Sequence, residues 1–242
     1  MTKPIVKVTA DHVPPLGGYK PERDYNVEGE WVRGDPSPFG LICFGMTTCM
    51  LMFVVTTWSE DASLVPTVAW YALAFGGFGQ LIAGVLDLIK GNTFGGTVFS
   101  SYGCFWIGWG GFNYTSLIYP DQIVSITKSG QTLYYGLWAL LTLIFFISSL
   151  RKTASIQTVL SSLVVTFVLL AGGVWNAKCN EAAGYLGAFC AGSALYAAMI
   201  ILVKIELGYE LPGVAPTLYF RHPMDRTPSS SDAGHHEMKE TA

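Results

Sequence analysis

Charged side chains are scarce in this chain of 242 residues, in which Asp, Glu, Lys and Arg together make up only 13%. A soluble domain usually contains about 25% charged residues, so the composition argues against a water-soluble enzyme. Hydrophobic residues make up 51%, which excludes a disordered protein. The net charge of −3 provides no basic surface, so we expect no nucleic-acid partner.

Residues that commonly bind metals or act as catalytic bases are missing from the middle of the chain. The five cysteines are isolated, with no Cys-x-x-Cys pair, which predicts neither a zinc site nor a disulfide framework. All four histidines lie near the chain ends, so an intramembrane nucleophile would have no histidine as its base. We therefore expect no metal, no cofactor and no enzyme activity.

The few charges are clustered, and long uncharged segments separate the clusters. Each of these segments has at least 20 residues, the length that a helix needs to cross the hydrocarbon core. The alternation of polarity that a membrane β-barrel requires is absent. We predict an all-α integral membrane protein with six transmembrane helices: Phe39–Trp58, Leu64–Leu86, Gly91–Pro120, Ser129–Leu150, Thr153–Ala177 and Ala182–Val203.

The two ends of the chain are polar and hold most of the twelve prolines. They predict flexible cytoplasmic tails over 1–38 and 206–242, on either side of a membrane domain over 39–205. An even number of spans places both ends on one side. If that side is the cytoplasm, only Lys128 and Lys178 of the 14 Lys and Arg residues lie outside, as the positive-inside rule favours.

Uncharged polar residues share helical faces with aromatic residues inside the predicted spans. Thr47 and Thr48 follow Phe44 by three and four residues, which places them on one face. Polar faces in a bilayer must meet one another or line a water-filled path, and we favour the path. Asp87 is followed three residues later by Lys90. This spacing favours a solvated ion pair at the cytoplasmic mouth, with a proton-accepting carboxylate as the alternative.

Two motifs connect these features to a known family. The first is Asp35-Pro36-Ser37-Pro38-Phe39-Gly40-Leu41, and the second is Lys90-Gly91-Asn92-Thr93-Phe94-Gly95, which continues through residues 99–106. Both resemble the acetate transporter (AceTr) family, the succinate–acetate permeases. The first resembles the family's Asn-Pro-Ala-Pro-Leu-Gly-Leu signature, represented here by Asp35, Pro36, Pro38 and Gly40. Asp35, Ser37 and Phe39 depart from it, and Asp87 stands where family members commonly have Glu.

The resemblance covers about residues 35–205 and implies a fold and a function. It implies a six-helix protomer with its own pore, assembled with further copies as a hexamer in the plasma membrane. It implies transport of acetate and related short mono- and dicarboxylates through the lipid bilayer, by proton symport or channel-like anion permeation. By local alignment, a hydrophobic constriction is assigned to Phe44, Tyr102 and Leu163.

An acid in such a pore would meet dipoles instead of fixed positive charges, which favours both entry and release. These dipoles include the hydroxyl of Tyr102. The expected pathway residues are Thr47, Thr48, Gln80, Asn92, Thr93, Ser100, Ser101 and Trp106. Asn92 and Thr93 have an equally good role as the cap of the third span, and Asp35 with Pro36 can cap the first. Asp87 is the candidate for coupling to protons.

Two other functions remain open at this point. The absence of positive charge from the spans also fits a channel for a small neutral solute such as urea, ammonia or water. A membrane sensor that uses its polar tails to bind a partner is the second alternative. The tails show no pattern of a folded domain, which disfavours the sensor.

Overall fold

The computed structural model describes residues 34–56, 58, 64–119 and 128–213. Most of the two predicted tails lies outside these ranges. The regular elements of the described residues are all helical. They are α1 (Ser37–Val55), α2 (Leu64–Tyr71), a π-helical segment (Ala72–Gly79), α3 (Gln80–Lys90), α4 (Thr93–Ile118), α5 (Lys128–Ser148), α6 (Ala154–Gly173) and α7 (Ala177–Leu207).

These elements make up six long helices, which we call rods, because α2, the π-helical segment and α3 form one continuous helix over Leu64–Lys90. The six predicted spans are therefore confirmed as helices. Their bounds shift by a few residues, most at the last rod, which begins at Ala177 instead of Ala182.

Five of the rods are long and apolar enough to cross a membrane, all except α4. With 26 residues, α4 is about 39 Å long at 1.5 Å per residue, which exceeds the roughly 30 Å of a bilayer core. Its glycines, hydroxyls and indoles lower its mean hydropathy. The chain is a multi-pass membrane protein in which the least apolar rod is also the one with most of the buried aromatic residues.

Contacts form both between helices that follow each other in sequence and between the first and last helices. α7 contacts both α1 and α6, α5 packs on α6, and α3 packs on α4. The turn between α3 and α4 is tight because Gly91 has φ of 89°, a backbone conformation that glycine adopts without strain. Asn92 then caps α4 by accepting a hydrogen bond from the Gly95 N–H at 3.1 Å.

Glycines allow the second rod to touch its neighbours closely. A methyl group at Gly84 would collide with Ser100 of α4, and one at Gly76 would lie 2.6 Å from the Thr47 side chain of α1. Small residues at such contacts are the usual means of helix packing in membranes. These contacts place Thr47 of α1 and Ser100 of α4 directly against glycines of the second rod.

Gly84→Ala tests this close approach. Because Ser100 and the α4 backbone leave no room for a methyl group, we expect a loss of about 1–3 kcal/mol from overpacking and a lower midpoint of thermal unfolding in detergent. The matched control is Gly136→Ala in α5, where a new methyl group meets nothing within 4 Å. The control should be neutral or slightly stabilising, and equal midpoints for the two variants would contradict the packing argument.

Candidate functional site

An open vestibule of about 870 Å³ lies at the end of the bundle where α1, α4 and α6 begin and α7 ends. Arg151, Lys152 and Lys204 contribute positive charge to its wall, and Asp35 contributes a negative charge. Lys204 donates a hydrogen bond to Glu210 at 2.7 Å, and this bond holds the pKa of the Glu210 carboxyl below its usual range. The lining residues include three cations and one anion, so the wall has an excess of positive charge, although Glu210 compensates that of Lys204.

A second, smaller compartment of about 50 Å³ adjoins the vestibule, with which it shares lining residues. Phe44, Tyr102 and Leu163 all line it, although they come from α1, α4 and α6. The rings of Phe44 and Tyr102 have centroids 5.6 Å apart. The structure thus brings together the three residues assigned to a constriction, which we call the neck, while their role in selection remains a prediction.

Five residues line both the vestibule and the compartment: Gly95 and four residues with apolar side chains, which we call the inner ring. This inner ring consists of Leu41, Phe94, Phe99 and Ile156. The ammonium group of Lys152 lies 5.3 Å from the centroid of the Phe94 ring, within the range of a cation–π interaction. The compartment is thus bounded by apolar side chains at the inner ring and at the neck.

Seven buried polar atoms have no hydrogen-bond partner within the described part of the chain. They are Thr47 Oγ1, Thr48 Oγ1, Gln80 Nε2, Gln80 Oε1, Asp87 Oδ1, Ser100 Oγ and Trp106 Nε1. Buried polar groups normally have a partner, and leaving one without costs about 1–3 kcal/mol. These atoms therefore need water or a ligand, and their residues all belong to the predicted pathway or proton site.

Other hydroxyls in the bundle donate hydrogen bonds to backbone carbonyls of their own helix. Thr142, Ser162 and Thr166 each donate to the carbonyl four residues earlier, at 2.7–2.8 Å. Among the described residues, Thr47, Thr48 and Ser100 make neither this bond nor a bond to a neighbouring helix. The geometry favours a polar path over interhelical hydrogen bonding. Two other predicted pathway residues are less enclosed, since Thr93 is exposed and Ser101 is half-buried.

The hydroxyl of Tyr102 has a protein partner, contrary to the expectation that it is available to an acid. It lies 2.8 Å from Thr142 Oγ1, and Thr142 donates its only proton to the Trp138 carbonyl at 2.7 Å. Tyr102 must therefore be the donor to Thr142. The sequence did not reveal Thr142, because one threonine in an apolar span carries no distinguishing pattern.

Asp87 is fully buried, so the prediction of a solvated pair with Lys90 is wrong. Its Oδ2 atom accepts a hydrogen bond from Asn92 Nδ2 at 3.1 Å and lies 3.4 Å from the Ser37 hydroxyl. Lys90 instead lies 3.6 Å from Asp35. The tight α3–α4 turn folds Asn92 back over Asp87, and this contact is not visible in helical spacing.

The residues of the first motif form the start of α1. The residue at the N-cap is Pro36, and Asp35 accepts a hydrogen bond from the Ser37 N–H at 3.1 Å. The predicted cap is therefore shifted by one residue. Pro38 is buried, and a side chain at Gly40 would lie 2.9 Å from the ring of Phe99. Because Gly40 has no side chain, the Phe99 ring of the inner ring can occupy this space.

A third cavity lies at the opposite end of the bundle. It has a volume of about 410 Å³ and lies where α4 ends and α5 begins. Trp109, Asn113 and Gln131 are among its lining residues. Trp106, with its unpartnered indole N–H, precedes Trp109 by one turn on α4. Polar and aromatic side chains therefore continue beyond the neck towards this end.

Comparison with known proteins identifies relatives over most of the chain. The sequence profile described as the GPR1/FUN34/yaaH family matches residues 19–216. The succinate-acetate/proton symporter SatP of Escherichia coli is 38% identical over 185 residues, which are 74% of this chain and 94% of that protein. Acetate permease A of Emericella nidulans is 31% identical, over 77% of this chain and 67% of its own length.

A solved structure is also similar. It is described as the structure of the bacterial acetate channel SatP, with a TM-score of 0.71 and 32% identity. The alignment covers 76% of this chain and all of the other. Both the sequence and the arrangement of helices are therefore shared with proteins described as carrying acetate.

A double-mutant cycle on Tyr102→Phe and Thr142→Val tests the buried hydrogen bond. Each single change should destabilise the protein by about 1 kcal/mol, measured by thermal unfolding in detergent. The double variant should lose less than the sum of the two, because both changes remove the same interaction. Strict additivity would show that the two hydroxyls do not interact.

Proposed function

This chain belongs to the GPR1/FUN34/yaaH family, and on that premise we infer that it carries acetate and related short carboxylic acids across a membrane. The observation that carries this inference is a basic vestibule that shares lining residues with a mainly apolar compartment lined by Phe44, Tyr102 and Leu163. We propose transport and no catalytic role for the same cavities.

The vestibule is suited to collecting an anion. At neutral pH an acid of this kind, with a pKa of about 4–5, is almost entirely ionised. Arg151, Lys152 and Lys204 raise the local concentration of anions at the mouth. Because these charges stop at the vestibule, the acid is not held by a strong ion pair deeper in the bundle, and rapid release remains possible.

Beyond the vestibule, we propose that the acid exchanges water for uncharged dipoles. The unpartnered atoms of Gln80, which lines the compartment, and of Thr47, Thr48, Ser100 and Trp106 are the proposed dipoles. Asn92, Thr93 and Ser101 are proposed to complete the pathway. The neck would select against large or strongly hydrated ions by its width and by exclusion of water.

Asp87 is the proposed site of proton coupling. Its Oδ1 atom has no hydrogen-bond partner among the described residues, so it can take up a proton without breaking a bond. Ser37 and Asn92 separate it from the vestibule, and both line that space. The Ser37 hydroxyl, 2.8 Å from Asp35 and 3.4 Å from Asp87, provides a link between solvent and the buried carboxyl.

The setting in the cell follows from charge and from the family. The basic residues at the vestibule favour a cytoplasmic orientation of this end under the positive-inside rule, with both chain ends on the same side. We propose the plasma membrane as the location and a hexamer as the assembly. The large exposed apolar surface of α5, including Leu137, Leu140 and Ile147, is available for lipid or for neighbouring protomers.

Flux of labelled acetate into vesicles that contain the purified protein tests the proposed function. With pH and voltage clamped separately, we expect protein-dependent flux well above that of empty vesicles. Flux of urea or ammonia without flux of acetate would instead support a neutral-solute channel. Loss of all flux on removing the two tails would support a sensor-like role for them and contradict transport by the bundle alone.

Phe44→Ala tests the neck. Removing the ring should widen the neck and relieve the steric resistance to a longer chain, so that the uptake of butyrate relative to acetate rises several-fold. Phe78→Ala is the matched control, because Phe78 is 56% exposed on the outer surface of the second rod. Unchanged selectivity in Phe44→Ala would count against the neck.

Asp87→Asn tests the coupling site. The change keeps the size of the side chain but prevents proton exchange, so the uptake rate should lose most of its dependence on pH. The rate is compared at a fixed concentration of undissociated acid, which removes the titration of the substrate itself. Glu206→Gln, an exposed acid near the end of α7, serves as the control. A fully retained profile in Asp87→Asn would eliminate this role.

A further inference from the structure

The chain reverses direction directly after α7. The helix ends at Leu207, and the next residue, Gly208, has a φ of 73°. Glycine adopts this left-handed conformation without strain, so the backbone can turn back at the end of the helix. Residues 209–213, which we call the strap, follow this turn. Because Glu210 of the strap accepts a hydrogen bond from Lys204 in the last turn of α7, the strap lies along the helix that it follows.

Two further contacts fix the far end of the strap. The Tyr196 hydroxyl donates a hydrogen bond to the Pro212 carbonyl at 3.0 Å, and the Ser155 hydroxyl lies 3.4 Å from the Gly213 carbonyl oxygen. Tyr196 precedes Lys204 by eight residues on α7, which is about 12 Å at 1.5 Å per residue. The strap is therefore held at both of its ends, against α7 and against the start of α6.

The strap places a negative charge beside the wall of the vestibule. Glu210 is its one charged residue, and its Oε1 atom lies 2.7 Å from Nζ of Lys204, which lines the vestibule. The side chains of Lys204 and Glu210 are 50% and 68% exposed, and an ion pair so exposed contributes little to stability. The effect of Glu210 is therefore on the electrostatic potential of the vestibule and not on the stability of the fold.

The charges at the vestibule are few, so a single carboxylate changes their sum appreciably. Arg151, Lys152, Lys204 and Asp35 line the space, and Lys90 lies 3.6 Å from Asp35. With Glu210, this set of lining residues and direct partners contains four cations and two acids, so its net charge is +2. Without Glu210 the net charge would be +3. None of the five strap residues lines the vestibule, so their influence on it is electrostatic and not steric.

An electrostatic potential distinguishes substrates by their charge. The energy of an ion in a given potential is proportional to its charge, so a dicarboxylate with two ionised groups responds twice as strongly as a monocarboxylate. Local concentration depends exponentially on this energy, so the effect on the dianion is the square of the effect on the monoanion. A unit charge about 10 Å away in water changes the concentration of a monoanion roughly twofold and that of a dianion roughly fourfold.

We propose that Glu210, which the strap holds against Lys204, is a specificity-determining residue that lowers the capture of dicarboxylates relative to monocarboxylates at the vestibule. This inference rests on the proposed transport function and deepens it, because it names a residue outside the cavities that selects among the substrates. Selection by charge thus takes place at the mouth, whereas selection by size is proposed for the neck.

The potential of the vestibule can be measured without transport, by a reporter cysteine in the full-length protein. Ile205 is 50% exposed and lines the vestibule, so Ile205→Cys can react with methanethiosulfonates that carry a sulfonate or a trimethylammonium group. The reaction of the five native cysteines is measured in the protein without the reporter and subtracted. Adding Glu210→Gln should raise the ratio of the anionic to the cationic rate about fourfold at low ionic strength.

Salt provides the first control on the reporter. At 1 M salt, where the Debye length is about 3 Å, the effect of Glu210→Gln should largely disappear. Glu206→Gln is the matched variant, because it removes the same charge from an exposed residue that does not line the vestibule. It should change the ratio of rates much less. An unchanged ratio in Glu210→Gln, or an equal change in the two variants, would overturn the proposal.

A compensating change separates the charge of Glu210 from any structural role of the strap. Lys204→Gln combined with Glu210→Gln removes the ion pair but leaves the net charge of the vestibule as it is in the wild type. The ratio of reporter rates should therefore return close to its wild-type value. Loosening of the strap would not be reversed by the second substitution, so persistence of the full Glu210→Gln effect in the double variant would overturn the proposal.

Uptake of labelled succinate and acetate into vesicles tests the selection itself. Both acids are supplied on the vestibule side, at neutral pH, low ionic strength and concentrations well below saturation. Glu210→Gln should raise acetate uptake roughly twofold and succinate uptake roughly fourfold, so the ratio of the two roughly doubles. A ratio that is unchanged or lower would overturn the proposal. Absence of any protein-dependent acetate flux would instead refute the proposed function, whereas the cysteine reporter would still be readable, so the two failures are distinguishable.

Discussion

Inside a bilayer, a polar atom without a protein partner has no surrounding water to replace that partner, and this constraint connects most features of the structure. Most hydroxyls in the bundle return to a carbonyl of their own helix. A small set on α1, α3 and α4 does not, and two of its members, Thr47 and Ser100, lie against glycines of the second rod. The glycine contacts that pack the helices therefore also involve unsatisfied polar groups.

The distribution of charge follows the same constraint. The described basic residues lie at the ends of the rods, where water is available, and the carboxyl of Asp87 is buried only where Asn92 and Ser37 cover it. On the proposed pathway, an acid would pass from a region of positive charge to a region of neutral dipoles. This order permits attraction at the mouth without a deep binding site that would slow release.

The sequence predicted the helices well, because uncharged runs of about 20 residues have few alternatives in a bilayer. It also identified all six residues with unpartnered atoms, since buried polar residues in apolar helices are conspicuous. It failed for contacts that depend on the turn between helices. The burial of Asp87 depends on Gly91 and Asn92 folding back, and the pairing of Tyr102 with Thr142 joins two helices that are distant in sequence.

The inner ring was missed for a different reason. Leu41, Phe94, Phe99 and Ile156 are ordinary apolar residues in apolar helices, and no pattern separates those that face a cavity from those that face lipid. Only their arrangement around two adjoining spaces distinguishes them. The residues of the neck were predicted from the family resemblance, whereas the basic residues of the vestibule wall come together only in the folded chain.

The π-helical segment Ala72–Gly79 interrupts the second rod immediately before Gln80. Its hydrogen bonds join residues five apart instead of four, so each turn holds more residues and the faces of α2 and α3 are rotated out of phase. An uninterrupted α-helix would place the residues of α2 on a different side of the rod relative to Gln80. Inserting or deleting one residue in this segment would thus rotate the residues before it relative to those after it. Different side chains would then face the pore, while composition and length would remain almost unaltered.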